Sequence, residues 1–152
     1  MSETKIAVIL IRGLVNVSYE KKKTLEYIRL KQKHACVVLD STIENKGMIE
    51  KVKDYVTYGT IDEAGFKALL DKRAQTVGNA DVKIDSGKIA KEYFSGKTKL
   101  RDFETTYNIK PFFRLHPPIG GFERGGIKQP FGKGGVLGNR EDKINLLITK
   151  ML

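Results

Sequence analysis

Between Pro111 and Arg140 stand five cationic side chains, Arg114, Arg124, Lys128, Lys133 and Arg140, against one acid, Glu123. The same stretch (PFFRLHPPIGGFERGGIKQPFGKGGVLGNR) holds all four prolines and eight of the fifteen glycines. Cations beside glycines are the chemistry of anion binding. A glycine such as Gly120, Gly121, Gly134 or Gly135 lets a backbone amide reach a phosphate oxygen with no side chain in the way. An arginine can grip the same phosphate with two donors or stack on an unpaired base. His116, just before Pro117-Pro118, is suited equally to the sugar-phosphate backbone and to a packed structural position. The segment is expected to be an ordered cationic arm for a polyanion such as RNA, because its apolar residues, among them Phe113, Leu115, Val136 and Leu137, give it surface to pack.

Other chemistries fail on spacing. Gly126 to Lys133 resembles a nucleotide-binding P-loop, but five residues separate its glycines where four are required, and Gly134 stands where a magnesium-binding hydroxyl belongs. Gly132-Lys-Gly134-Gly-Val-Leu137 lacks the third glycine of the dinucleotide fingerprint. His34 and His116 lie far apart in sequence and no Cys/His cluster has metal-ligand spacing. The acids Asp81, Asp85, Asp102 and Glu104 read as solvated charge balancing nearby lysines. No catalytic group, metal site or cofactor is expected.

The elements that must carry the arm follow from apolar periodicity. Ile6 to Ile11 is a continuous apolar run closed by Arg12-Gly13, which reads as a central strand covered on both faces. Arg12 and Gly13 at its end present a cation on a rigid base. Ser18 is expected to cap a helix reaching about Gln32, with Leu25 and Ile28 buried and Lys21, Lys22 and Lys23 forming either a solvated face or an RNA contact. Cys36 to Leu39 reads as a second strand and Asp40 to Asn45 as a polar loop. Met48, Ile49, Val52, Tyr55 and Val56 have the spacing of a second helix, whose end overlaps a third strand over Val56 to Ile61. Beyond it lie a helix opened by Asp62-Glu63 and burying Phe66, Leu69 and Leu70, a polar connection from Val77 to Ser86, a helix bearing Ile89, Tyr93 and Phe94, and a weaker one over Leu100 to Tyr107. After the arm, Asn139 is expected to cap a last helix with Ile144, Leu147, Ile148 and Met151 on one side. The fold class is α+β, in three units: a β-α-β-α-β core at 1–61, a helical extension at 62–110, and the arm with the C-terminal helix at 111–152. Phe112, Phe113, Phe122 and Phe131 read first as core or braces and second as base-stacking platforms.

Composition agrees with an RNA partner. The 152 residues carry a net charge of +10 and a pI of about 9.6, the footprint of a nucleic-acid binder. The single cysteine, Cys36, lies in an apolar run, which points to a buried structural thiol and a reducing, cytosolic setting. No apolar run approaches the ~18 residues of a membrane span, so no membrane is expected as a partner; with both nucleotide-loop readings failed, no small-molecule substrate is expected either.

Five pieces together resemble a known family: Leu10-Ile-Arg-Gly-Leu-Val-Asn16, Lys46-Gly-Met-Ile-Glu-Lys-Val52, Tyr55-Val-Thr-Tyr-Gly59, Arg114-Leu-His-Pro-Pro-Ile-Gly-Gly-Phe122 and Gly134-Gly-Val-Leu-Gly-Asn-Arg140. They are similar to the L-thirty family of large-subunit ribosomal proteins in its archaeal form, and the likeness covers nearly the whole chain. The resemblance implies a ferredoxin-like core with the first strand central, and residues 62–152 as the archaeal and eukaryotic extension. It implies a structural, non-catalytic protein of the large ribosomal subunit in the cytoplasm, partnered by the large ribosomal RNA and neighbouring ribosomal proteins. The RNA-facing set is then Arg12, Gly13, Lys22, Lys23, Lys46, Arg114, His116, Gly120, Gly121, Arg124, Lys128, Lys133, Gly134, Gly135 and Arg140, with the arm clamping RNA helices. Two rival readings are a free RNA-binding or assembly factor, which a high-salt wash would strip from the subunit, and a small-molecule enzyme using the glycine-rich loop, which would bind nucleotide in isolation.

Overall fold

A computed structural model describes residues 5–13, 15, 17–74, 85–97, 102–106 and 109–152. Asn16, Asp81, the polar connection as far as Ile84, and Leu100 and Tyr107 at the ends of the weak helix lie outside the described residues, as does the Glu104 side chain.

Strand β1 (Lys5–Leu10) lies at the centre of a five-stranded sheet ordered β4-β2-β1-β3-β5. Its neighbours β2 (Ala35–Asp40) and β3 (Val56–Ile61) both run antiparallel to it, with Val8 opposite Val37 on one side and Tyr58 on the other. All six residues of β1 are buried, which is why its sequence shows no apolar-polar alternation. The alternation is spatial instead. Ile6, Val8 and Leu10 face a layer made by helices α1 (Tyr19–Tyr27) and α2 (Ile43–Lys51), where they meet Leu25, Ile28, Ile49 and Val52. Ala7 and Ile9 face the opposite, lower layer, built from α3 (Glu63–Arg73), α4 (Ser86–Phe94), α5 (Phe103–Thr106) and α6 (Ile144–Met151), the α1/α2 layer being the upper one. Phe66, Tyr93, Phe103 and Phe113 form its aromatic centre, with ring centroids 5.1 Å apart for Phe66–Tyr93 and for Tyr93–Phe103. The Tyr93 hydroxyl donates to the Val38 carbonyl, satisfying the one polar atom that its burial would strand.

Local chemistry explains most element boundaries. The Asp62 carboxylate accepts from the Gly65 amide at 2.6 Å and starts α3; Asp85 does the same for α4 through Lys88, so this acid is a helix cap as well as a surface charge. The Thr42 hydroxyl accepts from the Asn45 amide and starts α2 inside the expected polar loop. Four expectations need correction. Ser18 stands at the N-cap of α1, but its hydroxyl makes no capping bond. Helix α1 stops at Tyr27 and not near Gln32, because Arg29 takes φ +69° and the Leu30 amide turns back to the Leu25 carbonyl. This is a closure that glycine normally signals, and here arginine performs it. Val56, whose spacing fits a second-helix face, belongs to β3, and a turn over Val52 to Tyr55 separates helix from strand. Asn139 does not cap the last helix: its side-chain oxygen accepts from the Glu141 amide at the start of a 3-10 turn (Glu141–Lys143), and both that turn and α6 begin without a side-chain cap.

The arm contributes two strands of its own. β4 (Phe113–Arg114) adds to β2 and β5 (Gly138–Asn139) adds to β3, in parallel, so the arm's two ends extend opposite edges of the sheet.

Candidate nucleic-acid interface

Backbone hydrogen bonds within the loop frame the arm between these strands. The Gly125 amide donates to the Gly134 carbonyl at 2.9 Å, the Phe131 amide to the Leu137 carbonyl at 2.7 Å, and the Val136 amide to the Gln129 carbonyl at 2.9 Å. Several glycine amides expected to meet phosphate are used here instead. Those of Gly121, Gly134 and Gly135 donate to the carbonyls of Pro118, Phe131 and Pro130. Gly135 is also buried, and a Cβ there would lie 2.1 Å from the Gln129 carbonyl oxygen. Its requirement for glycine is thus internal packing, a correction to its expected place on the RNA-facing surface. Gly120, Gly121 and Gly134 remain exposed and adopt φ of +85°, +81° and +84°, a region that L side chains rarely adopt.

Arg140 is the larger correction. Its side chain is only 3% exposed and every guanidinium nitrogen donates within the fold. Nε donates to the Thr57 hydroxyl at 2.9 Å, the two terminal nitrogens to the two oxygens of Glu123 at 2.9 and 3.1 Å, and one of them also to the Val136 carbonyl at 3.0 Å. The Phe131 ring lies 4.8 Å from the guanidinium carbon. With four hydrogen bonds inside the fold and Phe131 against one face, the Arg140 guanidinium is turned into the fold and away from solvent. It pins the arm to β3 and neutralises the arm's one acid.

The other cations of the expected set lie at the surface. Arg114, Arg124, Lys128 and Lys133 are exposed, as are His116, Lys22, Lys23 and Lys46, and Gly13 beside a half-buried Arg12. They form clusters more than one surface. Arg12 and Lys21 share the Tyr55 ring, at 5.3 and 5.4 Å from its centroid, just beyond the end of β1. Lys23 is held over Tyr19 and 3.9 Å from Glu26. Lys46 borders a cavity of about 480 Å³ with Glu50, Tyr58 and Asn139, where burial foremost, then the Glu50 charge, raises the tyrosine pKa. Arg114 joins Arg29 and Lys31 around a smaller cavity, with its guanidinium carbon 5.7 Å from the Phe112 centroid. Arg29, Lys31 and Lys21 were absent from the expected set. Arg29 and Lys31 fall within the helix that the sequence predicts as far as Gln32, and the early helix end turns them toward β4.

The expected braces divide cleanly. Phe113 is core, Phe122 packs on the lower layer and stacks on His34 at 6.1 Å, Phe131 lies under Arg140, and Phe112 borders the upper layer at the surface. Burial beside Phe122, and then the Lys33 charge, lowers the His34 pKa and so favours its neutral ring. Cys36 is fully buried in β2, which pushes its thiol up to about 12, far from a reactive thiolate. Among the described residues no group of three or more His, Cys, Asp or Glu is placed to hold a metal ion, and no helix is long and apolar enough to cross a membrane.

Comparison with known proteins gives one consistent result. Residues 6–56 match the family model described as Ribosomal protein L30p/L7e, covering β1 through the start of β3. Over almost its full length the chain is similar to "Large ribosomal subunit protein uL30" of three archaea. Identity is 41% with that of Methanococcus vannielii (96% of this chain, 98% of the relative), 39% with that of Methanopyrus kandleri (93% and 100%) and 36% with that of Nanoarchaeum equitans (96% and 97%). Identity at this level over almost the whole chain means that it belongs to the uL30 family of large ribosomal subunit proteins, in its archaeal form.

Proposed function

We propose that this protein is a structural constituent of the large ribosomal subunit in the cytoplasm, without catalytic activity, and that it binds the large ribosomal RNA through its exposed cations. The observation that carries the reading is the full-length likeness to archaeal uL30 proteins, extending through the arm as well as the core. The geometry supplies a mechanism. A sheet buried on both faces holds the two ends of the arm at opposite edges, and Arg140 fixes the arm to β3. Arg124, Lys128 and Lys133 are thereby presented on a framed loop, so little further ordering is needed when they meet phosphates. Arg12, Lys22, Lys23 and Lys46 add cations on the core, and neighbouring ribosomal proteins are the natural occupants of what RNA leaves uncovered.

The test is salt dependence. Replacing Arg124, Lys128 and Lys133 together with Gln deletes three charges and keeps side-chain length and polarity close. Binding to a large-subunit ribosomal RNA transcript should weaken, and the slope of log K against log salt should flatten by about two to three units. An unchanged slope would sink the phosphate clamp.

A further inference from the structure

We infer that the cavity beside β4 is a pocket for one unpaired nucleobase, a inference that rests on the RNA-binding reading above. The cavity measures about 230 Å³ and is lined by Arg29, Lys31, Gln32, Pro111, Phe112 and Arg114. Ligand sites for larger molecules begin near roughly 300 Å³, so this one suits a single flat ring. Its shape follows from two local events. Pairing of Ala35 with Arg114 and Cys36 with Phe113 sends the Phe113 side chain into the lower core, which leaves Phe112 and Arg114 together on the other face. The left-handed turn at Arg29 then swings Arg29 and Lys31 alongside them.

The chemistry selects the ligand. Phe112 is half-buried against the upper layer, so its ring is held in place while part of it stays open. A fixed aromatic face is what an unstacked base needs; the exposed Arg114 guanidinium lies over that ring, 5.7 Å from its centroid, and swings off it to stack on the outer side of the base that enters. All three charged residues around the cavity are cationic, which fits the phosphates on either side of an extruded nucleotide. The Gln32 amide carries both donors and an acceptor, the equipment for a base edge. A fully paired helix would keep its bases from Phe112 and could use only the charges, so the pocket distinguishes an unpaired position from a duplex.

The experiment uses the full chain and the large-subunit ribosomal RNA transcript. Phe112→Leu should weaken binding about tenfold with the salt slope unchanged, because it removes stacking and no charge. Phe112→Tyr should restore binding. Thermal melts of both variants check that they fold. Independently of any variant, ultraviolet cross-linking of the unmodified complex should join residues 111–114 to a nucleotide that chemical probing reports as unpaired. Tight binding by the native chain with Phe112→Leu unaffected, or cross-links from 111–114 only to paired nucleotides, would overturn the pocket while leaving the phosphate clamp standing. Failure of the native chain to bind the transcript would overturn both.

Discussion

Arg124 and Arg140 look alike in the sequence, two arginines in a glycine-rich segment, yet one is exposed and the other is 3% exposed. What separates them is remote. Arg140 depends on Glu123, 17 positions earlier, and on Thr57, 83 positions earlier. No local pattern encodes such partners, which is why the sequence supports placing both on the RNA side. The difference has a measurable consequence. A lysine head cannot serve Thr57, both Glu123 oxygens and the Val136 carbonyl from one point, so Arg140→Lys should destabilise the fold by about 1–3 kcal/mol. Arg124→Lys should change stability by less than about 0.5 kcal/mol, as exposed substitutions do. Urea melts of the two variants check this, and equal losses would mean that Arg140 is not the pin.

At the scale of elements, long amphipathic segments were readable and short borrowed ones were not. Helices α3, α4 and α6 bury the apolar residues that their spacing marks. β4 and β5 have two residues each and lie among prolines and glycines, and they are strands only because β2 and β3 offer them ladders. The same close assembly gives one glycine its purpose. A Cβ on Gly59 in β3 would lie 2.0 Å from the Glu141 carbonyl oxygen and 3.0 Å from Cβ of Ile144. Backbone cannot rotate out of the way as a side chain could, so Gly59→Ala must push the 3-10 turn and β5 off the sheet edge. A loss of about 3 kcal/mol is expected. Gly47, in the middle of α2 with nothing within 4 Å of an added Cβ, should behave oppositely, and Gly47→Ala should stabilise by about 0.5–1 kcal/mol. Urea melts check both, and unchanged stability in Gly59→Ala would show that crowding at Glu141 is not the reason for Gly59.

Across the whole molecule the sheet has two layers of unequal origin. The α1/α2 layer comes entirely from the first sixty-one residues apart from Phe112 at its margin, and its apolar spacing made it legible from sequence. The opposite layer draws Ala7, Ile9, Cys36 and Val38 from the core strands, Phe66 and Tyr93 from the middle helices, and Phe113, Val136 and Ile148 from the arm and last helix. Contacts of that range carry no local signature. They do predict how the chain behaves when it is cut. A fragment of residues 62–152 would keep its helices' apolar faces but lose the sheet on which they pack, together with the strands that make β4 and β5. It should be largely unfolded by circular dichroism and melt without cooperativity. Residues 1–61 would retain three paired strands and two helices on one face, enough for a weakened cooperative melt, but would bare Ala7, Ile9, Cys36 and Val38 to water. That fragment should therefore associate with itself, which sedimentation would reveal as a concentration-dependent mass. A cooperative melt for residues 62–152 alone would show that the lower layer needs no sheet, and the dependence of the arm on β2 and β3 would be wrong.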